Sequence, residues 1–316
     1  MKLSVMMITY NHERFIAHAI ESVLVQQVNF DYEIVIGEDC STDGTRAVVM
    51  DFHRRYPDLI VPLLRDRNLG AMRNFAETLA ACKGKYVALL EGDDYWIRKD
   101  KLQTQIDFLD EHSDHAICCH RAQFVDETGA DQSRVYPTLP AGSYGIADLF
   151  HENWIVACSV MYRWGSVGSL PGWFLTLKMG DWPLHILVGR AGKIHLMDDV
   201  MSVYRIHQGG IWSSQPLISR QRETIRMLKA LHKYLGSMYT DAIQRTLAQS
   251  YFQMACYARR EGNRKEAGRN LVSCLQNGGW RVPGNRRAMA GLAAYSLIGS
   301  WYKVFSRAKK TDLPHC

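Results

Sequence analysis

Along the first third of the chain, short apolar runs alternate with stretches of helical spacing. Residues 3–9 form a β-rich run, and 13–26 then place Phe15, Ile16, Ala19, Ile20, Val23 and Leu24 on one helical face. The same alternation continues with a strand over 32–36 and a helix over 45–56, stopped near Pro57. A strand over 60–64, a helix over 71–82 ended by Gly84, and a strand over 86–90 complete the series. Strands and helices of these lengths predict right-handed crossovers and a mostly parallel sheet covered by helices on both faces, an α/β fold.

Beyond a helix over 101–111 the pattern becomes mixed. Residues 116–119, 123–126 and 154–162 read as strands, several of them antiparallel, and 193–197 and 200–206 as two more, with Asp198-Asp199 as the turn between them. Residues 181–189 read as a short helix with Asp181 at the N-cap and Pro183 in its first turn. From about residue 216 the chain reads as helical, and 249–275 resemble one helical-repeat hairpin, too few for an array.

Charge divides the chain at the same place. Residues 216–316 hold 18 Lys and Arg against 5 Asp and Glu, which leaves 20 against 27 for the first 215. An acidic front and a basic tail imply different partners for the two parts. The eight cysteines include no CxxC pair, so neither a zinc site nor a disulfide framework is expected. The opening MKLSVMMITYNH has too short an apolar run for a signal peptide and reads as a first strand. In the tail, 288–305 are apolar but interrupted by Lys303 and flanked by Arg286, Arg287, Arg307, Lys309 and Lys310. That pattern fits either an amphipathic helix on an anionic leaflet, with Trp301 and Tyr302 at the interface, or a buried helix with a solvated basic end.

The candidate chemistry lies where the strands end. In open α/β sheets ligands bind at the carboxyl ends of the strands, and there the chain places Thr9-Tyr10-Asn11, Glu38-Asp39, Asn68-Leu69-Gly70 and Glu91-Gly92-Asp93-Asp94. Three carboxylates in four residues, straight after an apolar strand, resist joint ionisation unless a cation sits among them. Magnesium or manganese, shared between carboxylates and a substrate diphosphate, would meet that need. A solvated turn is the alternative. Trp154, Trp182 and Trp212 can stack on sugar faces or simply pack in the core.

Six segments in this order, SVMMITYNHERFIAHAIESVL, EIVIGEDCSTDGT, NLGAMRNF, YVALLEGDDYW, GDWPLH and YRIHQGG, resemble the family 2 glycosyltransferases, inverting sugar-nucleotide enzymes of the Rossmann-like GT-A fold. The resemblance covers residues 1 to about 214. It implies a glycosyltransferase domain over 1–215, with a nucleotide-sugar half to about 115 and an acceptor half after it, and leaves 216–316 as a basic helical region. It implies that Thr9, Tyr10, Asn11 and Glu13 line the nucleotide pocket, that Asp39 accepts a hydrogen bond from the base, and that Asn68 and Gly70 border base and ribose. Asp43, in the turn after Asp39, is expected to cap a helix instead. Glu91-Gly92-Asp93 takes the place of the DxD motif, with Asp93 or Asp94 ligating Mg²⁺ or Mn²⁺. Glu91 stands where Asp is usual, and its longer arm would reach a ribose hydroxyl or a metal-bound water. Asp181 fits the catalytic base and His207 a late contributor to metal or diphosphate.

The implied partners are a nucleotide-sugar donor (a UDP-sugar first, a dTDP-sugar next) and a glycan, lipid-linked or other glycoconjugate acceptor. The implied setting is bacterial surface polysaccharide synthesis in the cytoplasm, with possible peripheral contact at the inner face of the membrane. A nucleotidyltransferase would show a Gly-rich loop with Lys or Arg after the first strand, which TYNHERF lacks. A nucleic-acid partner is not expected, because the basic tail contains no nucleic-acid module. A noncatalytic sugar-nucleotide binder would follow if Asp181 lay away from the site.

Overall fold

The computed structural model describes residues 1–165, 169–210, 215–279, 289–293 and 295. The chain divides into two compact units, Met1–Ser214 and Gln215–Cys316.

The first unit is built on one sheet. Strands β1 (Leu3–Thr9), β2 (Tyr32–Glu38), β3 (Ile60–Leu64) and β4 (Tyr86–Leu89) run parallel in the order β3-β2-β1-β4. Helices α1 (Ile16–Leu24), α2 (Thr45–Arg55) and α3 (Ala71–Ala81) are the crossovers between them. With helices over both faces, β1 is buried along nearly its whole length, which is why LSVMMIT reads as a continuous apolar run. Gly37 in β2 lets α3 approach: a Cβ there would fall 2.0 Å from the Thr78 hydroxyl oxygen.

Past β4 the sheet continues through β9 (Met161–Arg163), antiparallel to both β4 and β6 (His115–Asp126), and then β10 (Lys193–Ile206), parallel to β6. The two-residue β5 (Tyr95–Trp96) closes that edge antiparallel to β10, while β7 (Asp131–Tyr136) pairs with β6 and β8 (Gly142–Tyr144) with β10. Helices α4 (Lys101–Glu111), α5 (Ile146–His151) and α6 (Asp181–Gly189) complete this half.

Several expectations are corrected here. The two strands expected over 116–126 are one, β6, and the two over 193–206 are one, β10. Asp198-Asp199 are therefore not a turn. They lie in a bulge, where the three residues of β10 between Leu196 and Val200 face a single residue of β6, His120. Asp198 accepts from Arg121 (2.7 Å) and Asp199 from Arg98 (2.6 Å), so the acidic pair is held by cations rather than by a turn. The strand expected over 154–162 is mostly a 3₁₀ turn and extended chain, with ladder pairing only from Met161.

The second unit contains α7 (Leu217–Leu235), α8 (Thr240–Arg260) and α9 (Arg264–Gln276). The α8–α9 pair forms the expected hairpin, with Gly262 left-handed (φ 74°) in its turn. Asn263 accepts the Glu266 N–H at 3.0 Å, an N-cap for α9. Leu247, Tyr251, Met254 and Ala258 of α8 and Ala267, Leu271 and Cys274 of α9 are buried. Trp212 and most of the apolar tail segment, with its flanking cations, lie outside the described residues. Among the described residues no helix is long and apolar enough to cross a membrane.

One core feature underlies the acidic turn. Lys101, the first residue of α4, is fully buried, and its ammonium lies 3.8 Å from the Trp96 ring centroid with no hydrogen-bond partner. Cation–π attraction offsets part of its dehydration, but burial still pulls its pKa down to about 7 from 10.5. Between those values the unfolded chain holds a proton that the folded chain has released, so this group's penalty on stability shrinks as pH rises from 7 towards 10. Lys101→Met is expected to raise the unfolding free energy at pH 7 by roughly 1–4 kcal/mol. The gain over wild type should fade towards pH 10 in urea titrations, and an equal gain at both pH values would contradict this account of Lys101.

Candidate active site at the carboxyl ends of the strands

The backbone after β4 stays on β1. Leu90 N–H donates to the Met6 carbonyl and Gly92 N–H to that of Ile8, both at 3.0 Å. Only glycine fits at 92, because a Cβ there would lie 2.8 Å from Thr9 Oγ1 and 3.0 Å from Ile16 Cδ1. Thr9 is thus covered by the turn, 2% exposed, while the neighbouring Tyr10 is 41% exposed. The turn is secured beyond the acids by β5: Trp96 N–H donates to Ser22 Oγ (3.1 Å), and its indole N–H to the Cys158 carbonyl (2.8 Å).

The three carboxylates meet different surroundings. Asp94 faces the interior, with Oδ1 accepting the Arg205 backbone N–H at 2.9 Å. Burial, then the charges of Asp93 and Glu91, push its pKa well above the usual carboxylate range. Asp93 faces two imidazoles: its Oδ2 lies 2.9 Å from His207 Nε2 and 3.8 Å from His12 Nε2. Burial works against its charge, but His12 and His207 outweigh it and hold its pKa below the ordinary value. Glu91 has no such partner, and burial together with Asp93 and Asp181 raises its pKa to about 8. For His12 burial is the largest influence and lowers the pKa, while the neighbouring Asp93 pulls it up.

Two overlapping groups have ligand atoms within 4.8 Å of one another: Glu91, Asp93 and Asp94, and His12, Asp93 and His207. Asp93 Oδ1 and Asp94 Oδ2 are buried without hydrogen-bond partners. Buried polar atoms are seldom left so, and carboxylate and imidazole donors converging on one spot suit a divalent cation. His12 is the residue that sequence reading missed, although it stands inside the quoted TYNHERF. Arg205, also missed, braces the turn by donating from Nη1 to the Asp93 carbonyl (2.6 Å) and lies 4.3 Å over the Tyr95 ring.

The β1–α1 and β2–α2 loops are cross-linked. Asn11 takes a left-handed backbone (φ 57°), and its Oδ1 accepts the Thr42 N–H at 2.8 Å. His12 N–H donates to Thr45 Oγ1 (2.8 Å) and Glu13 N–H to Asp43 Oδ2 (3.1 Å), while Glu13 Oε2 accepts the Gly44 N–H (2.9 Å). Asn11 and Glu13 therefore shape the loop with their side chains. Asp43 caps less than expected: the α2 cap position is Gly44, and Asp43 Oδ1 accepts the Thr45 N–H at 3.0 Å.

Asp39 is 2% exposed and organises the loop after β3, accepting the Leu69 N–H (2.7 Å) and the Gly70 N–H (3.0 Å). Burial raises its pKa against the pull of those two donors. Asn68 Oδ1 accepts the same Gly70 N–H at 2.9 Å.

Asp181 comes from the other half of the unit. It is the first residue of α6, not its cap; that position is Gly180, and no side chain caps the helix. Its Oδ2 accepts from Asn153 Nδ2 at 2.9 Å, a partner that no local pattern around Asn153 announces. Asp181 is close enough to add to the rise in the Glu91 pKa, which brings it to the acidic turn. Trp182 and Trp154 pack in the core, and the Trp182 indole N–H donates to the Leu149 carbonyl at 2.7 Å.

The sequence profile of glycosyl transferase family 2 matches residues 4–167, just over half of the chain. An uncharacterized protein of Mycobacterium tuberculosis is 36% identical over 213 residues, 67% of this chain and 61% of its own length. The poly(ribitol-phosphate) β-N-acetylglucosaminyltransferase TarS of Staphylococcus aureus is 30% identical over 141 residues, 44% of this chain and 24% of its own. The crystal structure of TarS 1–349 with UDP-GlcNAc superposes with a TM-score of 0.67 at 19% identity, covering 94% of this chain and 88% of that one. The mannosyltransferase PcManGT of Pyrobaculum calidifontis, in complex with GDP-Man and Mn²⁺, gives 0.59 at 15% identity, covering 97% and 83%. The fold is that of the GT-A glycosyltransferases, and the chain belongs to glycosyl transferase family 2.

Proposed function

We propose that the chain is an inverting, metal-assisted glycosyltransferase that moves a sugar from a nucleotide diphosphate sugar to a hydroxyl of a surface polysaccharide or related glycoconjugate. The observation that carries this reading is the convergence of Glu91, Asp93 and Asp94 at the carboxyl edge of the sheet, with the charge of Asp181 acting on Glu91 from the other half, where a donor diphosphate and an acceptor could be held together. TarS and PcManGT, whose structures hold UDP-GlcNAc and GDP-Man, share this fold, and TarS by its name acts on a polymer of ribitol phosphate. A UDP-sugar is the favoured donor and a dTDP-sugar the next, with the reaction in a bacterial cytoplasm.

In this reading Tyr10, Asp39, Asn68 and Gly70 border the nucleotide, Thr9 supports that border from beneath the turn, and Asn11 and Glu13 shape it through their hydrogen bonds to the β2–α2 loop. Asp93, Asp94 and His207 would hold the cation, Mg²⁺ or Mn²⁺, and Glu91 would reach a ribose hydroxyl or a metal-bound water. A bound divalent cation supplies Lewis-acid stabilisation of the charge that collects on the departing diphosphate. Asp181 takes the acceptor proton as the acceptor oxygen bonds to C1 and the C1–O bond to the diphosphate breaks. Asn153 fixes one oxygen of Asp181 and so aims the other. Attack on the face opposite the leaving group inverts the anomeric centre.

Calorimetric titration with UDP, dTDP, GDP and ADP should show at least one that binds about tenfold more tightly when Mn²⁺ is present, since the metal joins diphosphate to protein. If every nucleotide binds equally with and without metal, the reading fails. Asp181→Asn should keep nucleotide affinity within about threefold and lower transfer by about 10²–10⁴-fold, the usual worth of a general base. Asn153→Ala should lower kcat by about 10–100-fold at nearly constant donor KM, as expected for a misaimed base. Unchanged transfer in Asp181→Asn would remove that residue from the mechanism.

A further inference from the structure

We infer that His12 is a third protein ligand of the cation and that, with Asp93 and His207, it makes a two-imidazole, one-carboxylate site selective for first-row transition-metal ions of the Mn²⁺ type over Mg²⁺. This rests on the glycosyltransferase reading only for the role of the ion, not for its binding.

The geometry is specific. Both Nε2 atoms approach the same Asp93 oxygen, at 2.9 Å from His207 and 3.8 Å from His12. The two rings stand nearly perpendicular, 82° apart with centroids at 6.0 Å, so their edges converge without stacking. The three side chains come from the ends of β1, β4 and β10, and each is braced from behind. His12 is held through its N–H on Thr45, and Asp93 through its carbonyl on Arg205. His207 packs its ring against Phe15, 5.1 Å between centroids. Such bracing holds ligands ready before the ion arrives. Asp93 Oδ1, buried and without a partner, is what a purely structural histidine–aspartate pair would have satisfied.

The donor set then selects the ion. Magnesium prefers oxygen ligands and gives up its waters reluctantly. Imidazole nitrogens favour first-row transition metals, and Mn²⁺ accepts both carboxylate and imidazole. An acidic turn with oxygen donors alone would leave Mg²⁺ and Mn²⁺ nearly equal.

The full-length chain should be titrated calorimetrically with Mn²⁺ and with Mg²⁺, alone and with UDP. Electron spin-echo modulation of the bound Mn²⁺ then counts directly coordinated ¹⁴N. We expect Mn²⁺ to bind at least about tenfold more tightly than Mg²⁺, with modulation from two imidazoles. His12→Gln and His207→Gln should each remove one nitrogen and weaken Mn²⁺ by at least about tenfold, while the far-UV circular dichroism and melting temperature of His12→Gln stay within error of wild type. Two nitrogens persisting in His12→Gln, equal affinity for the two metals, or no Mn²⁺ binding to the wild-type chain in either condition would overturn the inference. Two-nitrogen Mn²⁺ binding in a chain that ignores every nucleotide would keep the metal site and remove the glycosyltransferase reading. Metal-enhanced nucleotide binding that His12→Gln leaves intact would do the reverse.

Discussion

Mutual repulsion among carboxylates is the constraint around which this domain is arranged. Glu91, Asp93 and Asp94 share one turn, and the charge of Asp181, from the other half of the unit, acts on Glu91. Carboxylates gathered this closely cannot all ionise without compensation. The protein treats each one differently: a backbone N–H for Asp94, imidazoles for Asp93, the Asn153 amide for Asp181, and for Glu91 a shift that favours its proton. The resting protein is therefore short of positive charge at one point, and a cation with a diphosphate is a natural complement to it.

Rigidity around that point has two sources. Below the turn, Gly92 seats the backbone on Thr9, and Trp96 anchors its far end on Ser22 and Cys158. Beside it, the loops after β1 and β2 are joined by hydrogen bonds from Asn11, His12 and Glu13 to residues 42–45. Residues that look like ligand contacts when only the sequence is in view are in part the fastenings of the cradle.

The parallel half was legible because its signals are local. A buried strand writes a continuous apolar run and an amphipathic helix writes its period, so β1 to β4 and the intervening helices lie within a few residues of where the pattern places them. Long strands with bulges are harder. The period breaks at Asp198-Asp199, and the local composition there is that of a turn, because what holds the bulge is Arg121 and Arg98 from distant positions. The acidic turn was legible for the reverse reason: three charges after an apolar strand conflict with local physics and point to something outside the chain. His12 and Asn153 carried no such conflict, since each is an ordinary loop residue until tertiary structure sets it against Asp93 or Asp181.

Strand β10 also acts as a ruler. It runs from the bulge at Asp198-Asp199 to Arg205, and His207 follows directly, with neighbouring side chains pointing to opposite faces. One residue gained or lost between Ser202 and His207 would exchange the two faces and carry both Arg205 and His207 away from the acidic turn. A change of length within the bulge, where the pairing already skips, can be taken up by a wider loop. The strand therefore tolerates a change of length at its bulge end but not within the YRIH segment, whose spacing sets where Arg205 and His207 reach.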